Sequence, residues 1–541
     1  MGTLVTWIIC AGIAAASLLA SRSLMHYFQL ESYQFAGYFR TLKRNWKRAV
    51  LPGIIMAVYL TMLLLIHRSI DRFLSEGNLL RLPLVLAGLA LALLGGWWCR
   101  GILQVRKAKK PFVVTMRVKR TYIVSFIVFT LIIAAGAFLL PGDVPRFYML
   151  GLFPLAMPLW IALGGLCAWP VEKLVSEMYF RDAQRKLAAR KDLIKIGITG
   201  SYGKTSVKFI LRTILEQKFQ VLATPSSFNT PMGVTRIIRE KLMPAHQIFI
   251  AEMGARHVGD IRELCRLVHP HHGVLTSVGP QHLDTFRTIE RIKGTKYELM
   301  DAIPEDGCCF FPDDGAICRE LYDKTTKEKR LCAVRDGVAD ADIWVSDVTV
   351  SPAGSAFTLH AGEESIGCET RLLGEHNIQN VILAAMVGLH LGMTLRQVAR
   401  GIARIEPVEH RLQLIPSKGV TIIDDAFNSN PNGARAALKV IRDFPGRRII
   451  VTPGMVELGA DEAEFNHDFG VFMAECVDVA ILVGRKHTAP IAQGLRKAGF
   501  PEENLHVVSS LDEATALLWK LGKPGDVALF ENDLPDNYSE T

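Results

Sequence analysis

Five apolar stretches crowd the first third of the chain, at 3–20, 49–66, 82–99, 122–140 and 147–169. Each is close to the roughly 20 residues that a helix needs to cross the hydrocarbon core of a bilayer. Half of the 541 residues are apolar, which suits such a region. The leading residues Met1-Gly2-Thr3 carry no Lys or Arg. The first stretch therefore lacks the basic start of a cleaved leader and reads as a retained helix.

The connecting loops give an orientation. Loop 21–48 holds six basic residues (Arg22, Arg40, Lys43, Arg44, Lys47 and Arg48). Loop 100–121 holds eight: Arg100, Arg106, Lys107, Lys109, Lys110, Arg117, Lys119 and Arg120. Loop 67–81 holds three and loop 141–146 one. The positive-inside rule puts the first and third loops in the cytoplasm, the N-terminus outside and everything after Trp169 inside. This predicts a multi-pass protein of the inner (cytoplasmic) membrane. The formal charge of +9 is thus a topology signal that also meets anionic lipid, and nucleic acid is excluded as a partner. No Asp, Glu, Lys or Arg lies mid-stretch, so an anchor is favoured over an ion-coupled transporter.

Residues 171–191 are charged and helix-prone, predicting a connecting helix after a membrane region at 1–170. From Leu193 onward, short β-rich runs alternate with helical patterns. Ile194–Thr199, Ile248–Glu252 and 273–278 read as buried parallel strands. Val420–Asp424, Arg448–Thr452, Val479–Val483 and 527–530 form a second series. The fold class is an α-helical membrane region followed by α/β. A P-loop-type central domain is expected at 192–406 and a smaller Rossmann-like domain at 407–541. The ten cysteines include no CxxC pair, which predicts reduced, cytosolic thiols with no disulfide framework and no zinc site. Cys308 and Cys309 are expected on opposite faces of a strand.

Ile196 to Ser206 follows a predicted strand and opens a helix, reading Ile-Gly-Ile-Thr-Gly-Ser-Tyr-Gly-Lys-Thr-Ser. Glycines let backbone N–H groups close around phosphate oxygens, and a helix N-terminus favours the anion. Gly200, Ser201, Tyr202, Gly203, Lys204, Thr205 and Ser206 are therefore candidate ATP-binding residues. Lys204 can reach the β/γ-phosphates and Thr205 can ligate Mg²⁺. Ile198 stands where the strict pattern has its first glycine.

Thr199 to Thr205 resembles the phosphate loop of Mur ligases, which join amino acids or peptides to cell-wall precursors. Further segments follow in that family's order. They are Asn229-Thr230-Pro231 with Gly233, Glu252-Met253-Gly254, Val278 to Asp284, Ile289 to Gly307 with Lys296-Tyr297-Glu298-Leu299, and Gly374 to Asn380. Asp424 to Pro431 and Gly454 to Gly459 resemble the MurF branch, which adds D-alanyl-D-alanine. The resemblance covers roughly 190–530. It implies an ATP-dependent acid–amino-acid ligase that activates a carboxylate as an acyl phosphate for attack by an amine. It also implies Thr205, Glu252 and His282 as Mg²⁺ ligands, and Lys296 as a carbamate holding a second ion. Lys204, His282 and Lys296 are then the catalytic candidates. Asn377, Asn380, Arg411, Asp424 and Asp425 are expected near ATP. Asn229, Thr230, Asn428 and Asn430 are candidate substrate contacts. Tyr297 replaces the glycine usual after this lysine.

Two departures from the family pattern shape the expected substrates. Membrane helices occupy the place of the usual UDP-sugar domain, which points to an envelope precursor presented at the membrane, with lipid as a partner. An acidic run from Phe530 to Tyr538 replaces a basic Lys-Gly-Ser-Arg segment, which points to an amino acid or dipeptide other than plain D-alanyl-D-alanine. The alternatives are a ligase for another acidic polymer or a glutamate chain, and a non-catalytic ATP-binding membrane scaffold.

Overall fold

The computed structural model describes residues 2–71, 80–102, 111–225, 228–335, 338, 340–417, 419–427 and 429–534. Asn428, the basic residues Arg106, Lys107, Lys109 and Lys110, and the segment from Pro535 onward lie outside the described residues. The chain forms two compact units, Met1–Glu177 and Met178–Thr541.

Among the described residues, five helical spans are long and apolar enough to cross a membrane by length and composition: Thr3–Ala20, Trp46–Ile70, Leu82–Arg100, Met116–Leu139 and Asp143–Ala188. Two expectations are corrected. Segment 21–48 is not a loop but holds the helices Arg22–Leu30 and Phe35–Arg44. Leu24, Tyr27 and Phe28, then Tyr38 and Leu42, recur at three- and four-residue spacing and are buried, so each helix has an apolar face to cover. The Tyr38 hydroxyl donates to the Pro158 carbonyl at 3.0 Å.

The fifth span is interrupted. Helix Asp143–Leu152 passes into a 3-10 turn, Phe153–Ala156, before helix Met157–Ala188 resumes. Pro154 lacks an N–H, and its ring clashes with the carbonyl one turn back, so the α pattern breaks there. The predicted connecting helix is the continuation of Met157–Ala188, not a separate element. Glu172 on it is buried and takes a two-pronged pair from Arg120, at 2.5 and 2.8 Å.

The second unit carries two sheets. The first contains β1 (Ile194–Thr199), β2 (Val221–Ala223), β3 (Ile248–Glu252), β4 (His272–Leu275), β5 (Cys308–Pro312), β6 (Lys329–Ala333), β7 (Ile343–Ser351), β8 (Gly354–Ala361) and β9 (Glu364–Thr370). Their order is β2-β3-β1-β4-β5-β6-β7-β8-β9. Pairing is parallel through β7 and antiparallel over β8 and β9. The second contains β10 (Gln413–Ser417), β11 (Val420–Asp425), β12 (Arg448–Thr452), β13 (Val479–Val483), β14 (Leu505–Val508) and β15 (Val527–Glu531). Its order is β10-β11-β15-β12-β13-β14, parallel except for the edge strand β10.

Both faces of the first sheet are covered, as its continuous apolar strands require. One core holds Ile196, Ile198 and Cys308 with the helix Glu375–His390. The other holds Phe249, Leu275, Cys309 and Phe311. The two adjacent cysteines therefore face opposite ways, as strand alternation demands. The C-terminal ends of β1, β3 and β4 lie side by side. In parallel α/β sheets, ligands bind at that edge.

Candidate active site

At the end of β1 the chain turns through Gly200–Gly203 into the helix Lys204–Leu215. Gly203 caps that helix at φ 76°, a left-handed conformation that a Cβ disfavours. A Cβ there would also stand 2.8 Å from the Asn380 Oδ1. The loop after β4 fastens the turn. Ser201 N donates to the Ser277 carbonyl and Tyr202 N to the Ser277 hydroxyl, each at 2.8 Å. Gly279 N donates to the Ser201 hydroxyl oxygen at 3.0 Å, and the Tyr202 hydroxyl to the Pro280 carbonyl at 2.8 Å. The Ser201 and Tyr202 side chains thus shape the loop. Ser206 lies in the first turn of the helix.

Lys204 folds back over this turn, donating to the carbonyls of Gly200 and Ser201 at 2.6 and 2.9 Å. Burial draws its ammonium down to about 8; Glu252 opposes that shift and Arg411 adds to it. Glu252 ends β3 and is 1% exposed. Its carboxylate accepts from Lys208 at 2.8 Å, from Asn229 at 3.0 Å and from the Thr205 hydroxyl at 3.1 Å. Burial alone would raise this carboxyl, but Lys208, Lys204 and Asn229 outweigh it and hold it below its ordinary value. Glu252 is therefore an ionised oxygen donor beside the hydroxyl of Thr205 and the phosphate loop. That donor chemistry suits Mg²⁺.

Lys296 sits on the helix Ile289–Asp301 and is buried. Burial drives its ammonium well below the ordinary lysine value, and the neighbouring Lys204 charge pushes the same way, against Asp260 and Glu298. Its amine is thus held toward the neutral, nucleophilic form.

His282, at φ 53°, points to the other sheet: its Nδ1 lies 2.7 Å from a carboxylate oxygen of Glu457. Arg256 approaches the other oxygen of Glu457 at 3.7 Å. Among the described residues, no hydrogen bond joins His282 to Glu252 or Thr205. The structure brings Lys204, Thr205, Glu252, Lys296 and Arg411 into one electrostatic neighbourhood, with His282 directed toward Glu457.

The remaining candidates divide into those near the loop and those used as scaffolding. Asn380 abuts Gly203 and donates to Asn377 at 3.3 Å, while Asn377 donates to the Leu373 carbonyl at 2.9 Å. Arg411 is stacked over Phe427, 4.5 Å from the ring centroid. Asp424 meets His410 at 2.7 Å and caps Ala426 N. Asp425 accepts from Leu412 N at 3.2 Å, and burial lifts its carboxyl to about 6 despite Arg411. Asn229 holds Glu252, as above. Thr230 and Asn430 cap the helices Pro231–Lys241 and Pro431–Arg442 through Gly233 N and Gly433 N. Their side-chain oxygens are spent on the backbone, as N-cap residues require. Asn428 lies outside the described residues.

Two residues were given no role by the sequence reading, and a third, Glu531, was read only as part of an acidic run. Lys208 lies one helical turn beyond Lys204, a spacing that places both on one face. Glu457 lies inside the Gly454–Gly459 segment, but nothing local marks it as the partner of His282. Glu531, the end of β15, is 1% exposed, hydrogen-bonds Ser429, and accepts from Thr452 at 3.1 Å. Burial raises its carboxyl to about 8, with Asp425 adding to the rise. Burial thus withdraws Glu531 from the expected acidic run, of which Asp533 is exposed and the residues from Pro535 onward lie outside the described residues. A cavity of about 200 Å³ lies between Pro280 and the Pro431, Asn432, Arg435 and Met455 side of the second sheet.

A phosphate loop with a lysine folded over it, an ionised carboxylate and a buried amine whose charged form is disfavoured can bind a nucleotide and a divalent ion. Comparisons with known proteins agree in kind. Residues 198–388 match the family described as Mur ligase middle domain, and residues 410–531 match Mur ligase, glutamate ligase domain. The UDP-N-acetylmuramoyl-tripeptide--D-alanyl-D-alanine ligase of Mycobacterium tuberculosis (strain ATCC 25618 / H37Rv) is 34% identical, over 62% of this chain and 69% of that protein. MurF from Acinetobacter baumannii superposes with a TM-score of 0.60 at 26% identity, covering 68% of this chain and 79% of its own. MurF ligase from Thermotoga maritima, solved with ADP, gives 0.60 at 25% identity, covering 68% and 82%.

Proposed function

The chain belongs to the Mur ligase family, as a MurF-like ATP-dependent ligase of peptidoglycan precursors, and on that premise we propose how its residues divide the work. The observation that carries the reading is that Glu252, at the end of β3, pairs with the hydroxyl of Thr205 beside the phosphate loop, within electrostatic reach of Lys204, which in turn acts on Lys296 and Arg411. Lys204 leaves its own loop carbonyls to meet the terminal phosphates, while the backbone N–H groups of 200–205 cradle them. Asn377 and Asn380 hold the helix beside the loop on the nucleotide side. Arg411 places a second cation where the phosphate charge spreads. Asp424 and Asp425 stand toward the ribose.

Thr205, Glu252 and His282 would hold Mg²⁺, which when bound neutralises phosphate oxygens and aligns them for displacement. His282 retains Nε2 for that purpose while Glu457 takes Nδ1. Burial disfavours the charged form of Lys296, and its neutral form attacks carbon dioxide, forming an N–C bond and releasing a proton. The resulting carbamate carries a negative charge that attracts Lys204 and supplies oxygen donors for a second ion. The acceptor carboxylate attacks the γ-phosphate, ADP leaves, and the amine displaces phosphate from the acyl phosphate to form the amide. Loss of acceptor-dependent ADP formation in Lys204→Ala tests this; a scaffold has no such activity to lose.

The five apolar spans support a multi-pass anchor in the inner membrane with the catalytic domains in the cytoplasm. They also support an acceptor presented at the membrane, lipid-linked rather than freely diffusing. Full turnover of soluble UDP-muramoyl tripeptide by the purified chain, with lipid-linked precursor ignored, overturns that part. The incoming amine is an amino acid or dipeptide. The cavity beside Pro280 offers both Arg435 and Asp468, a cation and an anion that suit the two ends of an amino acid or dipeptide. Comparing ADP release across candidate amines decides whether D-alanyl-D-alanine is the exclusive partner.

A further inference from the structure

A second cluster lies at the opposite edge of the first sheet. Cys308 opens β5, Glu328 immediately precedes β6, and His390 closes the helix Glu375–His390. The phosphate loop leaves the C-terminal end of β1, whereas β1, β4 and β5 run parallel and Cys308 stands at the N-terminal end of β5. The length of the sheet therefore separates this cluster from the nucleotide site.

One ligand atom from each of Cys308, Glu328 and His390 lies within 4.8 Å of the other two. Around a tetrahedral ion with Zn–S about 2.3 Å and Zn–N or Zn–O about 2.0 Å, such atoms stand roughly 3.5 Å apart. We propose that Cys308, Glu328 and His390 form a binding site for a borderline-soft divalent ion of the zinc class, clamping the helix Glu375–His390 to β5 and β6. Thiolate and imidazole select such an ion over Mg²⁺, which prefers oxygen.

The surroundings are arranged for it. The His390 ring packs edge-on against His272 and Phe310, at centroid distances of 5.1 and 5.2 Å. His272 Nδ1 accepts the Cys308 backbone N–H at 3.2 Å, which fixes where the thiol begins. Burial keeps His390 below its ordinary value, so its imidazole offers a lone pair rather than a proton. Arg330 donates to one oxygen of Glu328 at 3.0 Å. Burial raises the Cys308 thiol to about 12, with Glu328 adding to it, so the thiol is protonated without an ion and an ion must displace that proton to bind. Positions 308, 328 and 390 are too far apart in sequence to give a spacing motif. That is why the cysteine pattern predicted no zinc site. The helix so clamped carries Asn377 and Asn380 at its other end, beside the phosphate loop.

The test is Co²⁺ titration of the full-length chain in detergent, with excess Mg²⁺ occupying oxygen-rich sites. The expected result is a thiolate-to-cobalt charge-transfer band that saturates at one equivalent, is displaced by Zn²⁺, and disappears in Cys308→Ser. His390→Gln and the surface change Glu328→Gln should weaken binding by roughly tenfold or more, at least the loss that even an outer-shell change brings. Zn²⁺ should raise the melting midpoint of the wild type and not of Cys308→Ser. Should Cys308→Ser fail to fold, Glu328→Gln carries the test alone, because its side chain is exposed. No thiolate band in the wild type, a band retained in Cys308→Ser, or unchanged affinity in folded Glu328→Gln overturns the proposal.

Discussion

The ion pair between Lys208 and Glu252 is the most consequential buried contact of the site. Lys208 is 0% exposed and Glu252 1%, and their atoms are 2.8 Å apart. Replacing Lys208 by Met leaves the carboxylate buried with only the Thr205 and Asn229 side chains and its more distant neighbours Lys204 and Arg411. Breaking a buried pair by removing one partner costs about 3–5 kcal/mol, because the other charge stays out of water uncompensated. Removing both charges at once is close to neutral when volume is kept. Lys208→Met should therefore lower the melting midpoint by about 6–15 °C, taking roughly 2–3 °C per kcal/mol for a unit of this size. Lys208→Met/Glu252→Gln should recover most of that loss, a coupling that a double-mutant cycle reads directly. The assay is thermal unfolding of the detergent-solubilised chain followed by near-UV circular dichroism, with Glu252→Gln as the fourth corner. A single variant melting within about 2 °C of the wild type would refute the reasoning, as would a double variant whose loss equals the sum of the singles.

Other outcomes follow from the same geometry. Gly203→Ala should weaken nucleotide binding and cost roughly 1–2 kcal/mol, since a Cβ at φ 76° is strained and meets Asn380; titration with a fluorescent ATP analogue and a melt check both. Lys296 should give a carbamate carbon signal in ¹³C NMR after incubation with labelled bicarbonate, and Lys296→Ala should give none. For Glu531, the folded carboxyl titrates near 8 against an ordinary 4.5, so the folded chain binds more protons between those values and stability falls as pH rises through that window. Glu531→Gln should flatten this decline, so that its stability relative to the wild type improves from about pH 5 to pH 8; parallel slopes in the two proteins would contradict the raised value.

The catalytic half was legible because its signals are local. Buried parallel strands read as apolar runs, and Ile194–Thr199, Ile248–Glu252, Arg448–Thr452 and Val479–Val483 have the expected bounds. The strand expected at 273–278 stops at Leu275, because residues 276–280 leave the sheet to hold the phosphate loop. What escaped depends on contacts distant in sequence. Nothing near Glu457 announces His282, 175 residues away. Thr230 and Asn430, singled out as substrate contacts, also cap helices, a role fixed by the backbone that follows them. In the first unit, charge marked segment 21–48 as a loop, while its apolar spacing folds it into two short helices. The antiparallel strands β8 and β9 were not foreseen, since alternating half-exposed residues give a weaker signal than a buried run.

The central claim is that the acceptor carboxylate becomes an acyl phosphate at the Lys204–Glu252–Lys296 centre. An acceptor with ¹⁸O in that carboxylate, turned over with ATP and the amine that supports the fastest ADP release, tests it directly by mass spectrometry of the released phosphate. Transfer of one labelled oxygen into inorganic phosphate, abolished in Lys204→Ala, is the result predicted. Amide formation with unlabelled phosphate, or with the label recovered in AMP, would contradict it.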